Sequence, residues 1–323
     1  MKSFWPFNSE ENLPTLNVAM LGPRGVGKTS LLAAMYDQFA NVSQDLQLEA
    51  DDESKSDLNK RLQELKTVGD SIKYRPSFTQ TKGYRSFKFW FGQTGTNPAL
   101  QINFQDYPGG WLEEDSQQKK VEDLIRQSVA VLIPIDTPIL MEGEGKYHDK
   151  LNQPTEINDL FKKVYKDLDS PRLVILAPIK CEKYIKDDPS ELFRKVREGY
   201  QKLLNQFASE KLVSKVSVII TPVQTLGGVV FSRIEFDNNG EPTFFYRKPQ
   251  PNSLYKPKNT EVPLRYLLRF LLKLHLDNGR ASIFKKIWNV LGRNSGLRNA
   301  VSRFTEPRPD EVEIVQGLEL LKL

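Results

Sequence analysis

The sequence predicts a three-layer α/β fold: a mainly parallel sheet with one antiparallel strand, plus an added hairpin and a C-terminal helical tail. Three observations predict it. Short apolar runs alternate with stretches of helical apolar periodicity, in an order that builds parallel strand–helix–strand units. One strand pair, 84–91 and 99–104, is joined by the turn at 92–98 and reads as a hairpin, so one strand opposes the rest. The first strand runs directly into a Gly-rich loop that opens a helix.

The elements follow in order. Residues 1–12 form a loose arm with Phe4, Trp5 and Phe7. Residues 16–21 are an apolar strand, and Leu31, Leu32, Met35, Tyr36 and Phe39 mark one face of the helix after the loop. An inserted amphipathic helix near 53–69 is carried by Leu58, Leu62, Leu65 and Val68. After the hairpin come a buried strand at 129–135, a long loop at 136–154 and a helix at 160–168. A strand at 173–177, one longer helix at 192–207 and a strand at 216–220 complete the series. The added hairpin near 227–247 turns at Asp237-Asn238-Asn239-Gly240, and an apolar helix over 264–276 starts after Pro263. The domain is read as 13–278, and 279–323 as a basic amphipathic extension.

Composition narrows the classes. The chain has 323 residues, enough for a sizeable core. Lys plus Arg is 46 against 41 for Asp plus Glu, a net +5 too mild to imply nucleic acid. Cys181 is the single cysteine, which excludes an internal disulfide framework. With only His148 and His275, chemistry built on histidine is disfavoured, and His275 reads as a packed residue. No apolar run approaches the ~20 residues that span a bilayer, and the N-terminus lacks a secretory h-region. The reading is a soluble, cytoplasmic protein.

Residues 22–30, GPRGVGKTS, fit G-x-x-x-x-G-K-[ST]. Gly22, Arg24, Gly25, Val26, Gly27, Lys28, Thr29 and Ser30 are the expected phosphate-binding set. Glycines let backbone N–H groups close on phosphate oxygens without a Cβ in the way. Lys28 reaches the β- and γ-phosphates, and the Thr29 hydroxyl ligates Mg²⁺. The second hairpin strand ends in Asp106-Tyr107-Pro108-Gly109-Gly110. Asp-x-x-Gly at a strand end supplies a carboxylate for Mg²⁺ and a Gly109 N–H for the γ-phosphate. Thr79 or Thr81, in the preceding loop, completes the metal shell. At another strand end, Lys180 can lie over a purine ring and Glu182 can accept the guanine N1–H and N2–H₂ pair. Thr221, after the last strand, supplies contacts to the base.

With these motifs in this order, the chain resembles the Ras-like P-loop GTPases over roughly residues 13–277. The variants LGPRGVGKTSLL, DYPGGW, PIKCE and TPVQTLGG look closest to bacterial double-GTPase-type proteins of conflict and phage-defence loci. The resemblance implies GTP or GDP with Mg²⁺, an antiviral-defence setting, and a neighbouring protein as the thing switched. Two departures bear on activity. Ile-Lys-Cys-Glu stands where the family has Asn-Lys-x-Asp, and Gly110 stands where many members carry a water-orienting Gln.

The expectation is a GTP-binding switch whose hydrolysis is slow or partner-stimulated, with Lys28, Asp106 and Gly109 carrying the catalysis. An ATPase with the same phosphate site and a non-hydrolysing nucleotide-binding module are the alternatives. In the tail, Arg280, Lys285, Lys286, Arg293, Arg298 and Arg303 surround an apolar face of Ile283, Phe284, Ile287, Trp288, Val290 and Leu291. That face either packs on the domain, docks on a protein or lies on an anionic membrane through 280–305.

Overall fold

The computed structural model of the chain describes residues 13–67, 83–112, 115–186, 188–236, 238, 241–277, 294–306 and 312–323. Strand β1 (Thr15–Met20) leads into helix α1 (Lys28–Val42), then β2 (Leu46–Ala50) and α2 (Asp52–Thr67). The hairpin β3 (Arg85–Gln93) and β4 (Leu100–Asp106) precedes α3 (Asp115–Gln127) and β5 (Ala130–Asp136). Short helices α4 (Thr137–Met141) and α5 (His148–Asn152) lead to α6 (Pro154–Val164) and β6 (Arg172–Ile179). Helices α7 (Ser190–Gly199) and α8 (Gln201–Phe207) precede β7 (Val216–Ile220). The chain ends with the hairpin β8 (Val230–Phe236) and β9 (Pro242–Arg247), α9 (Val262–Leu276), α10 (Ser295–Phe304) and β10 (Glu313–Gln316).

Eight strands form one sheet in the order β10-β7-β6-β5-β1-β4-β3-β2. β1 lies parallel to β4 and β5, and β5, β6 and β7 continue the parallel series. β3 runs against β4, as the hairpin pattern predicts. The structure adds β2 and β10, antiparallel to β3 and β7 respectively. β2 is a five-residue alternation, LQLEA, inside an acidic stretch. β10 has four residues, and its partner β7 lies far back in the chain.

Strand alternation splits the core into two layers. Leu16, Val18 and Met20 of β1 join α1, α2, α9 and α10 on one face. Ala19, Leu21 and the β5 residues Val131, Ile133 and Ile135 join α3, α6, α7 and α8 on the other. A parallel sheet covered on both faces needs apolar residues at every position, and β5 and β6 are buried throughout. Leu58 and Leu65 of α2 enter the same core as α1.

Two expected elements are divided. The helix predicted over 192–207 divides at Tyr200, just after Gly199, whose carbonyl lies 3.3 Å from His148 Nε2. A Cβ at Gly199 would come within 2.6 Å of that same nitrogen. The long loop predicted at 136–154 holds α4 and α5.

The C-terminal residues pack on the first core. Leu297, Ala300, Val301 and Phe304 are buried there, and the Phe304 ring lies 5.5 Å from that of Phe39 on α1. Arg265 and Arg269 of α9 donate to the Phe304 and Thr305 carbonyls at 2.6 and 2.8 Å, satisfying the end of α10. Ile283, Phe284, Ile287, Trp288, Val290 and Leu291, which carry the membrane and partner readings of the tail, lie outside the described residues. No helix among the described residues is long and apolar enough to cross a membrane.

Candidate functional site

The register of β1 with β4 places Met20 opposite Asp106, so the loop after β1 and the last residue of β4 share one edge of the sheet. Open parallel sheets bind ligands at this edge. Gly25 and Gly27 take φ of 79° and 118°, which a Cβ disfavours. At Gly27 a Cβ would also come within 2.5 Å of Ile179 Cδ1. Gly27 caps α1 without a side chain to accept the first amides, and no acidic residue lies in the first turn. Those N–H groups and the helix dipole favour an anion. Val26 and Ser30 are buried beneath the loop, and Arg24 is exposed at its tip.

Lys28, Thr29 and Asp106 converge in the structure. Lys28 Nζ donates to the Gly22 and Pro23 carbonyls at 2.9 and 3.3 Å and stands 3.8 Å from Asp106 Oδ1. Burial pulls the lysine below its ordinary pKa, and the Asp106 charge opposes that shift. The Thr29 hydroxyl donates to Asp106 Oδ2 at 2.8 Å. Burial raises the Asp106 carboxyl, against the Lys28 charge and the Thr29 hydrogen bond. Asp106 Oδ1 is buried and has no hydrogen-bond partner. An orphaned acceptor beside a hydroxyl, a lysine and an uncapped helix start is what a Mg²⁺-bound phosphate would satisfy, so these residues fit that group.

Gly109 rests directly on the loop: a Cβ there would lie 1.9 Å from Arg24 N and 2.3 Å from Pro23 C. Gly110, by contrast, faces open space. Thr79 and Thr81 lie outside the described residues.

On the base side, Lys180 follows β6 at φ 56°, and its ammonium pairs with the Asp136 carboxylate. Asp136 ends β5 and is held on three sides. Asn152 Oδ1 accepts its N–H at 3.0 Å, and Asn152 Nδ2 donates to its carbonyl at 3.2 Å. Its own Oδ1 accepts the Ile139 N–H at 3.4 Å. Asn152 Nδ2 also lies 3.1 Å from His148 Nδ1. Burial lowers the His148 pKa, against the Gly199 hydrogen bond and the Asp149 charge. Asp136 and Asn152 escaped sequence reasoning. The usable signal was a carboxylate ending a wholly apolar strand just before a helix-opening Pro138.

Glu182 is shared with the chain itself. Its Oε1 accepts the Leu226 and Gly227 N–H groups at 2.6 and 2.9 Å, while Oε2 is buried without a partner. Burial raises the carboxyl to about 7, against those two hydrogen bonds. Sequence reasoning gave this carboxylate to a purine, and in the structure one of its oxygens already closes the loop after β7. Gly227 takes φ 64°, and a Cβ there would meet Lys256 N at 2.6 Å. Thr221, at the start of that loop, is buried with its hydroxyl unpartnered.

Residues 17–226 match the family model of Double-GTPase 2. No curated protein matches the chain. It is similar to the signal recognition particle receptor SRb-GTP/SRX complex from Chaetomium thermophilum, at 16% identity and a TM-score of 0.41. That match covers 67% of this chain and 92% of the other. It is also similar to the S. cerevisiae Ski7 GTPase-like domain bound to GTP, at 16% identity and a TM-score of 0.41. Here 66% of this chain matches 43% of the other, less than half of that protein. At such scores the likeness carries no argument about activity. The family match is different in kind: it runs through the loop after β1, the end of β4 and the end of β6, over more than half of the sequence, and the chain belongs to the Double-GTPase 2 family.

Proposed function

We propose that this protein binds GTP with Mg²⁺ and turns it over slowly, as a nucleotide-controlled switch for a protein partner in the cytoplasm, in antiviral defence. One observation carries the reading: the buried Asp106 holds Thr29 with one oxygen, while the other makes no hydrogen bond and stands 3.8 Å from Lys28 Nζ. A buried carboxylate with an open acceptor costs stability unless something else uses it.

Gly22, Gly25, Gly27 and the first amides of α1 surround the phosphates, with Arg24 at the rim and Val26 and Ser30 beneath. Lys28 exchanges its two carbonyl partners for β- and γ-phosphate oxygens. Thr29 and Asp106 would hold the metal, with Thr79 or Thr81 as the third protein group. When bound, Mg²⁺ would draw charge from the phosphate oxygens and so favour loss of the γ-phosphoryl group. The Gly109 N–H, at the edge of the same loop, would meet the γ-phosphate. Glu182 Oε2 is the acceptor left for guanine N–H donors, Lys180 covers the base, and Thr221 lies behind it. Gly110 offers no side chain to orient water, so turnover depends on a group from a partner.

Nucleotide retained by the purified chain, released by denaturation and separated by chromatography, tests the reading. GDP or GTP supports it; ATP or ADP moves the protein to the ATPase alternative. A preparation that holds nothing and shows no melting shift with any Mg²⁺–nucleotide overturns it.

A further inference from the structure

Tyr107 sits between the two residues of Asp-x-x-Gly that the phosphate chemistry uses, and that chemistry gives it no role. It is wholly buried, in the core layer that also holds Ala19 and Leu21. Its hydroxyl oxygen accepts the Gly22 N–H at 3.3 Å, across 85 residues of chain. Its ring stacks on Trp111, with centroids 6.5 Å apart and planes 16° apart. Lys28 Nζ stands 5.6 Å from the same ring's centroid.

These contacts continue a series. Asp106 meets Thr29, Tyr107 meets Gly22, and Gly109 meets the Pro23–Arg24 backbone, so one short segment touches the loop and the helix start it leads into at three places. The Gly22 N–H is the first donor of that loop, and a buried amide without an acceptor is costly. The ring face attracts an ammonium, which counters part of the penalty of burying Lys28.

We propose that Tyr107 is a positioning residue of the phosphate site: its hydroxyl sets the path of the loop at Gly22, and its ring steadies the Lys28 ammonium. The proposal rests on the phosphate-binding reading of that loop. It is tested on the full chain with two variants. Tyr107→Phe keeps the ring and removes the hydroxyl; Tyr107→Leu keeps apolar bulk and removes the ring face.

The first measurements need no nucleotide. Amide hydrogen exchange over residues 21–28 should rise about tenfold in Tyr107→Phe, the loss of one buried hydrogen bond. Exchange in β5 and β6 should stay as in the parent. Titration with GTP and Mg²⁺ should then show affinity about tenfold lower in Tyr107→Phe, and lower again in Tyr107→Leu. Unchanged loop exchange overturns the proposal. So does exchange that rises everywhere with a lower melting temperature, the signature of a plain core residue. If the loop responds but the parent binds no nucleotide, the phosphate-binding reading falls and the setting of the loop by Tyr107 stands.

Discussion

The Thr29 hydroxyl donates to Asp106 Oδ2 at 2.8 Å, joining the first turn of α1 to the last residue of β4 across 77 residues of sequence. Asp106 and Lys28 are both buried, and burial works against the charge of each. Such a site is assembled at the expense of stability, and a ligand that uses it should return that cost.

Nucleotide should therefore raise the melting temperature. At 100 times its dissociation constant a ligand adds about 2.7 kcal/mol, which is several degrees at roughly 2–4 °C per kcal/mol. Lys28→Ala should abolish the shift given by GTP with Mg²⁺. Asp106→Asn should abolish it too, and it should also lower the stability of the nucleotide-free protein, because the buried Lys28 ammonium loses its charge partner. Scanning calorimetry with and without GTP–Mg²⁺ reads both effects. A full shift in either variant would sink the assignment of these residues.

Glu182 predicts opposite pH trends for stability and for guanine binding. Its carboxyl is raised from an ordinary 4.5 to about 7 in the fold. Between those values the folded protein holds a proton that the unfolded chain has released. Its contribution to stability is therefore full below about pH 4.5 and is lost as pH rises to 7. At 1.36 kcal/mol per unit the loss approaches roughly 3 kcal/mol. Glu182→Gln should flatten that decline. GTP affinity should instead rise toward pH 7, because guanine N–H donors need the ionised oxygen. Melting curves and titrations between pH 5 and 8 check both signs.

Neighbouring glycines should behave differently. Gly109→Ala forces a Cβ to within 1.9 Å of loop backbone, which cannot yield as a side-chain tip could. A loss of about 1–3 kcal/mol is expected, as for other overpacked sites. Gly110→Ala meets nothing within 4 Å and should stay within about 0.5 kcal/mol of the parent. Denaturant unfolding of the two variants decides. Equal losses would mean that Gly109 does not rest on the loop.

Turnover by the isolated chain should be slow, near the roughly 10⁻⁴ s⁻¹ of an unassisted Ras-type site. Phosphate release under single-turnover conditions measures it. Rapid release would show that the chain orients water with its own groups, Gly110 notwithstanding.

Removal of the residues after Asn278 should lower the melting temperature by several degrees or prevent folding, because Leu297, Val301 and Phe304 leave the core. Phe304→Ala alone should cost about 3 kcal/mol. Breaking the exposed Arg303–Asp45 pair with Asp45→Ala should cost less than about 1 kcal/mol. A truncated chain with unchanged stability would mean that the tail serves recruitment alone.

The Gly-rich loop after β1, the apolar strands and Asp106 at a strand end were legible because each is a local pattern. Left-handed glycines, period-2 burial and a helix start are decided by residues a few positions apart. Sequence alone thus determined the α/β class, the Gly-rich loop from Gly22 to Ser30 that opens α1, and the strand ending at Asp106. Only the tertiary structure decided that Lys180 pairs with Asp136, that Glu182 closes the Leu226–Gly227 turn, and that Arg265 holds Phe304. Those partners are 44, 44 and 45, and 39 residues apart. A buried charge must find a partner, but any of several polar residues satisfies that demand. The choice falls to whichever one the sheet register and helix packing bring within hydrogen-bond reach.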